Sequence, residues 1–299
     1  MHIKKSSKVL MALGMALFLA ACGNSSSDAT GSSLTEGEFD LTQPIHVISR
    51  EDGSGTRGAF TEITKVLEKD ADGNEIDATY MEAAIQNSTD GVMTSVAGDA
   101  TSIGYISLGS VNDTIKALKI EGVHPTPETI KDNSYAIARP FNLVYKDKLS
   151  KETQDFWDFI FSQQGQEMVV KEGYIEADDQ AVIYTASENL DGKVSIVGST
   201  SVTSVMEVLA EEYQALNPNV TIDITSNGSS AGITAATDGT ADIGMASREL
   251  KEEEKEVLTV SVLAMDGIAV IVNKENTTDE LTMEQVKAIF TGEQLIWQE

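Results

Sequence analysis

Apolar positions along this chain repeat with two periods. Val202, Val205, Met206, Leu209, Ala210, Tyr213 and Leu216 recur at helical spacing and stop at Asn217-Pro218, which predicts a helix over 202–216. The same period predicts helices over 58–67, where Ala59, Phe60, Ile63, Val66 and Leu67 share a face, over 151–161, and over 283–290. The last opens with the capping-box pattern Thr282-x-x-Gln285. Short β-rich or alternating runs predict strands over 45–49, 102–106, 142–145, 194–197, 220–224, 243–246 and 268–272. Strands alternating with helices place the chain in the α/β class with mainly parallel or mixed sheets. Phe156, Trp157, Phe159 and Ile160 are expected in a core. Residues 173–190, polar and acidic, are expected to form a surface connection.

Three predicted strands run directly into turns rich in Gly, Ser and Thr, and each turn precedes a helix. The first turn is Arg50-Glu51-Asp52-Gly53-Ser54-Gly55-Thr56-Arg57. The others are Gly198-Ser199-Thr200-Ser201 and Gly228-Ser229-Ser230-Ala231-Gly232. The first turn of a helix carries unsatisfied N–H groups and a partial positive charge, so it attracts anions. Small residues let the backbone approach a ligand, hydroxyls add donors, and Arg50 can present a planar cationic fork. A lone turn of this kind is explained by N-capping. Three of them suggest helix ends aimed at one small anion.

Charge narrows the partners. The net charge is −27, and removing the three basic-region residues Lys4, Lys5 and Lys8 takes it to −30. Bulk electrostatics on such a chain excludes nucleic-acid binding and argues against attraction to anionic lipid heads. A small inorganic anion remains compatible, because local dipoles act at short range where distant surface charge is screened. The apolar run 9–21 behind the lysines reads as a secretion signal, too short to span a bilayer. It ends Leu19-Ala20-Ala21-Cys22-Gly23, which resembles a bacterial lipobox, so residues 1–21 are expected to be a lipoprotein signal peptide and Cys22 the lipidated mature N-terminus. Residues 22–40 then form a flexible polar tether. Cys22 is the only cysteine, which leaves no disulfide framework. His2, His46 and His124 show no zinc spacing. No catalytic constellation, Walker lysine, metal site or cofactor motif is evident.

These segments resemble the phosphate-binding lipoproteins of bacterial phosphate ABC importers. The resemblance extends over nearly all of the chain after the tether. It rests on the three turns above, on Asp242-Ile243-Gly244-Met245-Ala246-Ser247-Arg248, on Asp266-Gly267-Ile268-Ala269-Val270-Ile271-Val272-Asn273-Lys274 and on Ala138-Arg139-Pro140-Phe141. It implies a two-lobed type II periplasmic-binding-protein-like fold with mixed sheets, the last two segments being the strands that cross between lobes. One lobe would comprise 41–140 plus 265–299, the other 141–264. The resemblance further implies that Arg50 pairs with phosphate oxygens while Asp52 holds its guanidinium in place. Ser54, Gly55 and Thr56 would donate from one lobe, and Thr200, Ser201 and Ser229 from the other. Ser247 stands where several family members place an aspartate, which leaves the margin of phosphate over sulfate open. Arg248 is expected to be a solvated surface charge. The partners implied are inorganic phosphate, a membrane permease and, through Cys22, the membrane; the protein would be a monomer and not an enzyme.

Segment order departs from the family. There, the Gly198–Ser201 turn normally comes first and the Arg50–Thr56 loop follows the 282–292 helix. Reading from residue 299 back into 41 restores that order, so the chain is expected to be circularly permuted or cut from a tandem array. The lobe built from both chain ends is expected to be the less stable, because its closure carries added loop entropy. Two other readings stand beside phosphate delivery: a surface sensor or scaffold of the same fold, and a hydrolase using Ser54. Sulfate, molybdate or another tetrahedral oxyanion is the alternative ligand.

Overall fold

A computed structural model describes residues 39–70, 72, 74–177 and 180–298. The signal region, Cys22 and nearly all of the tether lie outside the described residues. Among the described residues, no helix is long and apolar enough to cross a membrane.

One ten-stranded sheet organises the fold. Its main path uses β1 (His46–Arg50), β2 (Ala84–Gln86), β3 (Ser102–Ser107), β4 (Ala138–Tyr145), β5 (Gly192–Gly198), β6 (Val220–Ser226), β7 (Ile243–Ala246) and β8 (Thr259–Asn273). These pair in the order β6-β5-β7-β4-β8-β3-β1-β2, and the short strands Ile115–Ala117 and Ile175–Glu176 attach to β8. Pairing is parallel at both flanks, where β1 joins β2 and β3 and β5 joins β6 and β7. It is antiparallel through the centre, across β7, β4, β8 and β3. The sheet is therefore mixed.

Strand β8 belongs to both halves. Its first part pairs with β4 residues 141–145, and its last part, Ile268 to Val272, pairs with β3. Between them Met265, Asp266 and Gly267 face Pro140, Arg139 and Ala138, so the two crossing strands are hydrogen-bonded to each other. Two large cores form, one on either side of this crossing. One gathers Phe141, Phe156, Phe159, Val205, Leu209, Tyr213 and Leu263. The other gathers Val47, Phe60, Tyr105, Val270, Ile289, Phe290 and Trp297, with the Phe60 and Tyr105 rings stacked at 3.9 Å. Two lobes follow from where apolar side chains can be buried together.

The helices that matter for the cleft are α1 (Gly55–Ile63), α2 (Thr89–Ala97), α3 (Lys151–Ile160), α4 (Thr200–Leu216), α5 (Ser229–Asp238) and α6 (Met283–Thr291). Helix α4 buries Val202, Val205, Met206, Leu209, Ala210 and Tyr213 of the stripe that its spacing predicts, while Leu216 at its last turn is 56% exposed. Helix α6 forms its capping box between Thr282 and Gln285. Helix α1 differs from expectation: it spans 55–63 rather than 58–67. Ser54 caps it by accepting from the Arg57 amide, and Lys65 at φ 63° ends it, after which Leu67–Lys69 turns into a short strand. Starting three residues earlier makes Gly55 and Thr56 part of its first turn.

Residues 173–190 also differ from a plain surface connection. Ile175–Glu176 pairs with β8, Tyr174 is buried, and the Tyr184 hydroxyl donates to Asp155 at 2.5 Å. The two ends of the described chain meet. The Ile45 amide donates to the Leu295 carbonyl at 2.8 Å and the Gln298 amide to that of Leu41 at 3.0 Å. Pro44 and Ile296 form an antiparallel bridge, and Phe39 packs edge-on against Trp297.

Candidate anion-binding cleft

The parallel flanks of the sheet deliver the site. Strands β1 and β5 each end at a Gly- and Ser-rich turn, and helices α1 and α4 start directly after them. Helix α5 starts after the turn that closes β6, capped by Gly228 at φ 100°, a conformation suited to glycine. Helix α2 adds a fourth N-terminus, capped by Ser88. All four ends meet through hydroxyl contacts. Thr56 and Ser201 lie 2.9 Å apart across the cleft, and the Thr89 hydroxyl is 3.3 Å from those of both Thr200 and Ser201. The Ser230 amide donates to the Gly53 carbonyl at 3.1 Å. Ser199 donates to the Ser247 hydroxyl at 2.8 Å, and the Ser247 amide donates to the Ser229 hydroxyl at 3.0 Å.

The expected site residues Arg50, Ser54, Gly55, Thr56, Thr200, Ser201, Ser229 and Ser247 are thereby brought together, nearly all of them buried. Gly55 sits at the tightest point. A Cβ there would overlap the hydroxyls of Ser229 and Ser247 from the opposite wall. Arg50 is 2% exposed, and its Nη2 donates to the Thr200 hydroxyl at 3.0 Å.

Asp52 is the exception. The side chain that grips Arg50 is Glu51, with Nε to Oε2 at 2.8 Å and Nη2 to Oε1 at 2.9 Å. Asp52 is exposed and accepts from the amide of Gly53 next to it. Gly53 at φ 85° turns the chain sharply here, and the short Asp52 side chain closes that turn, whereas the longer Glu51 reaches back to the guanidinium. Arg248 also departs from expectation. It is largely buried, bidentate to Glu254 at 2.8 Å, and packed over Gly58 of α1 on the other lobe.

Two further buried groups were not singled out in the sequence. Thr89 opens α2, and a Ser-Thr pair before Val92 is the cap signal that could have found it. Arg139 and Asp266 form an ion pair, each 1% exposed, where the crossing strands face one another. Burial pushes the Asp266 carboxyl up to about 6, against the opposing pull of Arg139 and hydrogen bonds from Ser107 and the Gly109 amide. Burial likewise lowers Arg139, with the Asp266 charge holding it up. Each cation thus carries its own carboxylate. The attraction left for an anion comes from Arg50's remaining donors and from the partial charges at the helix ends, about half an elementary charge each. Convergent N–H and O–H donors around one largely dry point suit a compact, multiply accepting oxyanion.

A two-lobed chain, with paired crossing strands and a cleft lined by helix N-termini, has the architecture of a periplasmic-type solute-binding protein. The model of the PBP superfamily domain matches residues 34–164 and 184–299. Phosphate-binding protein PstS 2 of Streptococcus pneumoniae serotype 4 is 51% identical, over 98% of each chain. PstS 2 of Streptococcus agalactiae serotype V is 46% identical, over 96% of this chain and 94% of its own. A crystal structure of a phosphate ABC transporter's phosphate-binding protein from Streptococcus pneumoniae TIGR4 superposes with a TM-score of 0.69 at 55% identity, covering 85% of this chain and 98% of that one. The chain belongs to the PBP superfamily and, within it, to the family of these phosphate-binding proteins.

Proposed function

We propose that the cleft binds inorganic phosphate outside the cytoplasm and that the closed form hands it to the permease of an ABC importer. The observation that carries this reading is the convergence of four helix N-termini on one cluster of hydroxyls, with buried Arg50 bonded to Thr200 within it. In this account Arg50 supplies the fixed positive charge, held by Glu51. The amides of Gly55 and Thr56 and the hydroxyls of Ser54, Thr56, Thr200, Ser201, Ser229 and Ser247 supply neutral donors. Closure is a hinge motion at the crossing strands, which brings the Thr200–Ser247 wall onto the Ser54–Thr56 wall. Membership of a solute-binding family, together with the donor-rich cleft, favours binding over catalysis at Ser54.

The lobes are taken as 41–140 plus 265–299 and 141–264. The antiparallel contact of 41–45 with 295–298 supports the reordered reading, since a short hairpin turn between those segments would restore the usual succession. Lipidation at Cys22 would tether a monomer to the membrane; Cys22→Ser should release it into the medium, and retention at the cell surface would contradict the anchor.

Thermal unfolding tests the ligand. Phosphate at about 100 times its dissociation constant should stabilise the protein by about 2.7 kcal/mol. A rise in Tm with sulfate but not phosphate would reassign the cleft to another oxyanion, and no rise with either would favour a scaffold.

A further inference from the structure

The Arg139–Asp266 pair lies behind the cleft, and its hydrogen bonds reach both lobes. Asp266 accepts from Ser107 of β3 at 2.9 Å. Its other carboxylate oxygen accepts from Arg139 Nε and Nη2 at 3.3 and 3.1 Å. Arg139 Nη1 then donates to the Ser247 carbonyl at 2.8 Å. This chain of bonds runs from a strand of one lobe, through both crossing strands, to the loop that presents Ser247 in the other. Ser247 is thereby fixed at three points, its carbonyl by Arg139, its amide by Ser229 and its hydroxyl by Ser199. Only the first of these ties it to the hinge.

We propose that Arg139 and Asp266 are positioning residues that couple the hinge angle to the anion site by holding the Ser247 loop in register with the crossing strands. Neither need touch the ligand. A buried ion pair is weak evidence for stability, because desolvation offsets most of its Coulomb attraction. Here its geometry has a specific consequence. Rotation at the crossing strands moves Arg139, and Arg139 carries the Ser247 carbonyl with it. The inference rests on the phosphate-binding reading of the cleft.

The groups facing Asp266 are Arg139, Ser107, the Gly109 amide and the rings of Tyr174 and Tyr135, whose hydroxyls burial pushes well up; Arg50 faces Arg139 from the cleft. With Asp266 raised to about 6, the carboxylate is charged at pH 7.5 and largely protonated at pH 5. Asp266→Asn fixes the neutral state with little change of shape. Phosphate affinity measured by calorimetry should fall about tenfold in this variant at pH 7.5, within the range by which remote residues alter coupling. The ratio of variant to wild-type dissociation constants should approach one as the pH falls to 5, because the wild type then loses the same charge. Phosphate's own titration cancels in that ratio. A defect caused by the shape or hydrogen bonding of the amide, rather than by the lost charge, would leave the ratio independent of pH.

Arg139→Lys is the second variant. It keeps the charge and the ion pair, yet a single ammonium lacks the planar fork needed to serve Asp266 and the Ser247 carbonyl together. It should also bind phosphate several-fold more weakly, with near wild-type circular dichroism. Wild-type affinity at pH 7.5 in folded Asp266→Asn or Arg139→Lys would overturn the proposal, as would a pH-independent ratio. Absence of phosphate binding by the wild type itself would instead refute the underlying reading of the cleft.

Discussion

The two walls of the cleft hold their donors in different ways. The wall made by β1 and α1 presents a charge, the buried Arg50 guanidinium, clamped by Glu51 within its own loop. The facing wall, made by the starts of α4 and α5 and the Ser247 loop, presents Thr200, Ser201, Ser229 and Ser247, whose hydroxyls bond to one another and across the cleft. Charge on one side and shape-matched neutral donors on the other divide the labour. On the proposed reading the charged wall would supply strength, because charge-assisted bonds exceed neutral ones about twofold. The neutral wall would sense fit, because its donors would reach the ligand only when the lobes close.

Substitutions should separate the walls. Arg50→Ala has the largest expected effect, a loss of about 3 kcal/mol or more in phosphate affinity, since it removes a buried cation and leaves Glu51 unpaired. Calorimetry that found less than a tenfold loss would break the comparison. Gly55→Ala comes next. Its Cβ would overlap Ser229 and Ser247, so it should oppose closure at about 1–3 kcal/mol while leaving each lobe's core intact. Small-angle scattering with saturating phosphate should then report a more open molecule than the wild type.

Glu51→Gln should weaken binding by about 1.5 kcal/mol, the scale of a hydrogen bond to a charged group, while Asp52→Asn should stay within about 0.5 kcal/mol. The reverse ranking would return the clamp to Asp52. Ser201→Ala, on the neutral wall, should cost about 1 kcal/mol, roughly fivefold in dissociation constant. A loss there as large as that of Arg50→Ala would mean that the walls do not differ as described.

The neutral wall was largely legible in the sequence. Strand, small-residue turn and amphipathic helix follow one another within a few residues at Gly198, so local pattern alone predicts where α4 begins; at Gly228 the strand and turn are legible but the helix range is not, because α5 buries mainly small residues, Ser229, Gly232 and Ala236 beside Ile233. The charged wall was legible in composition but not in detail. Whether Glu51 or Asp52 holds Arg50 depends on the turn at Gly53, which a string of residues does not specify. The start of α1 was missed because Gly-Ser-Gly-Thr has weak helical propensity, and capping by Ser54 together with the Phe60 contacts to Tyr105 and Phe290 overrides it. Contacts between distant segments were out of reach for the same reason. Arg139 and Asp266 stand 127 positions apart, and Thr89 and Thr200 stand 111 apart. Arg248 was expected in solvent because charged residues usually are; the bidentate grip of Glu254 and the approach of Gly58 from the other lobe hold it in instead.

The most direct test of the central claim, that both walls complete one oxyanion site in this segment order, is calorimetric titration of the mature chain with phosphate, followed by sulfate in competition. The account predicts one phosphate per chain, with binding that persists in excess sulfate. A folded protein that gives no phosphate heat would contradict it, because the two walls would then not form a site.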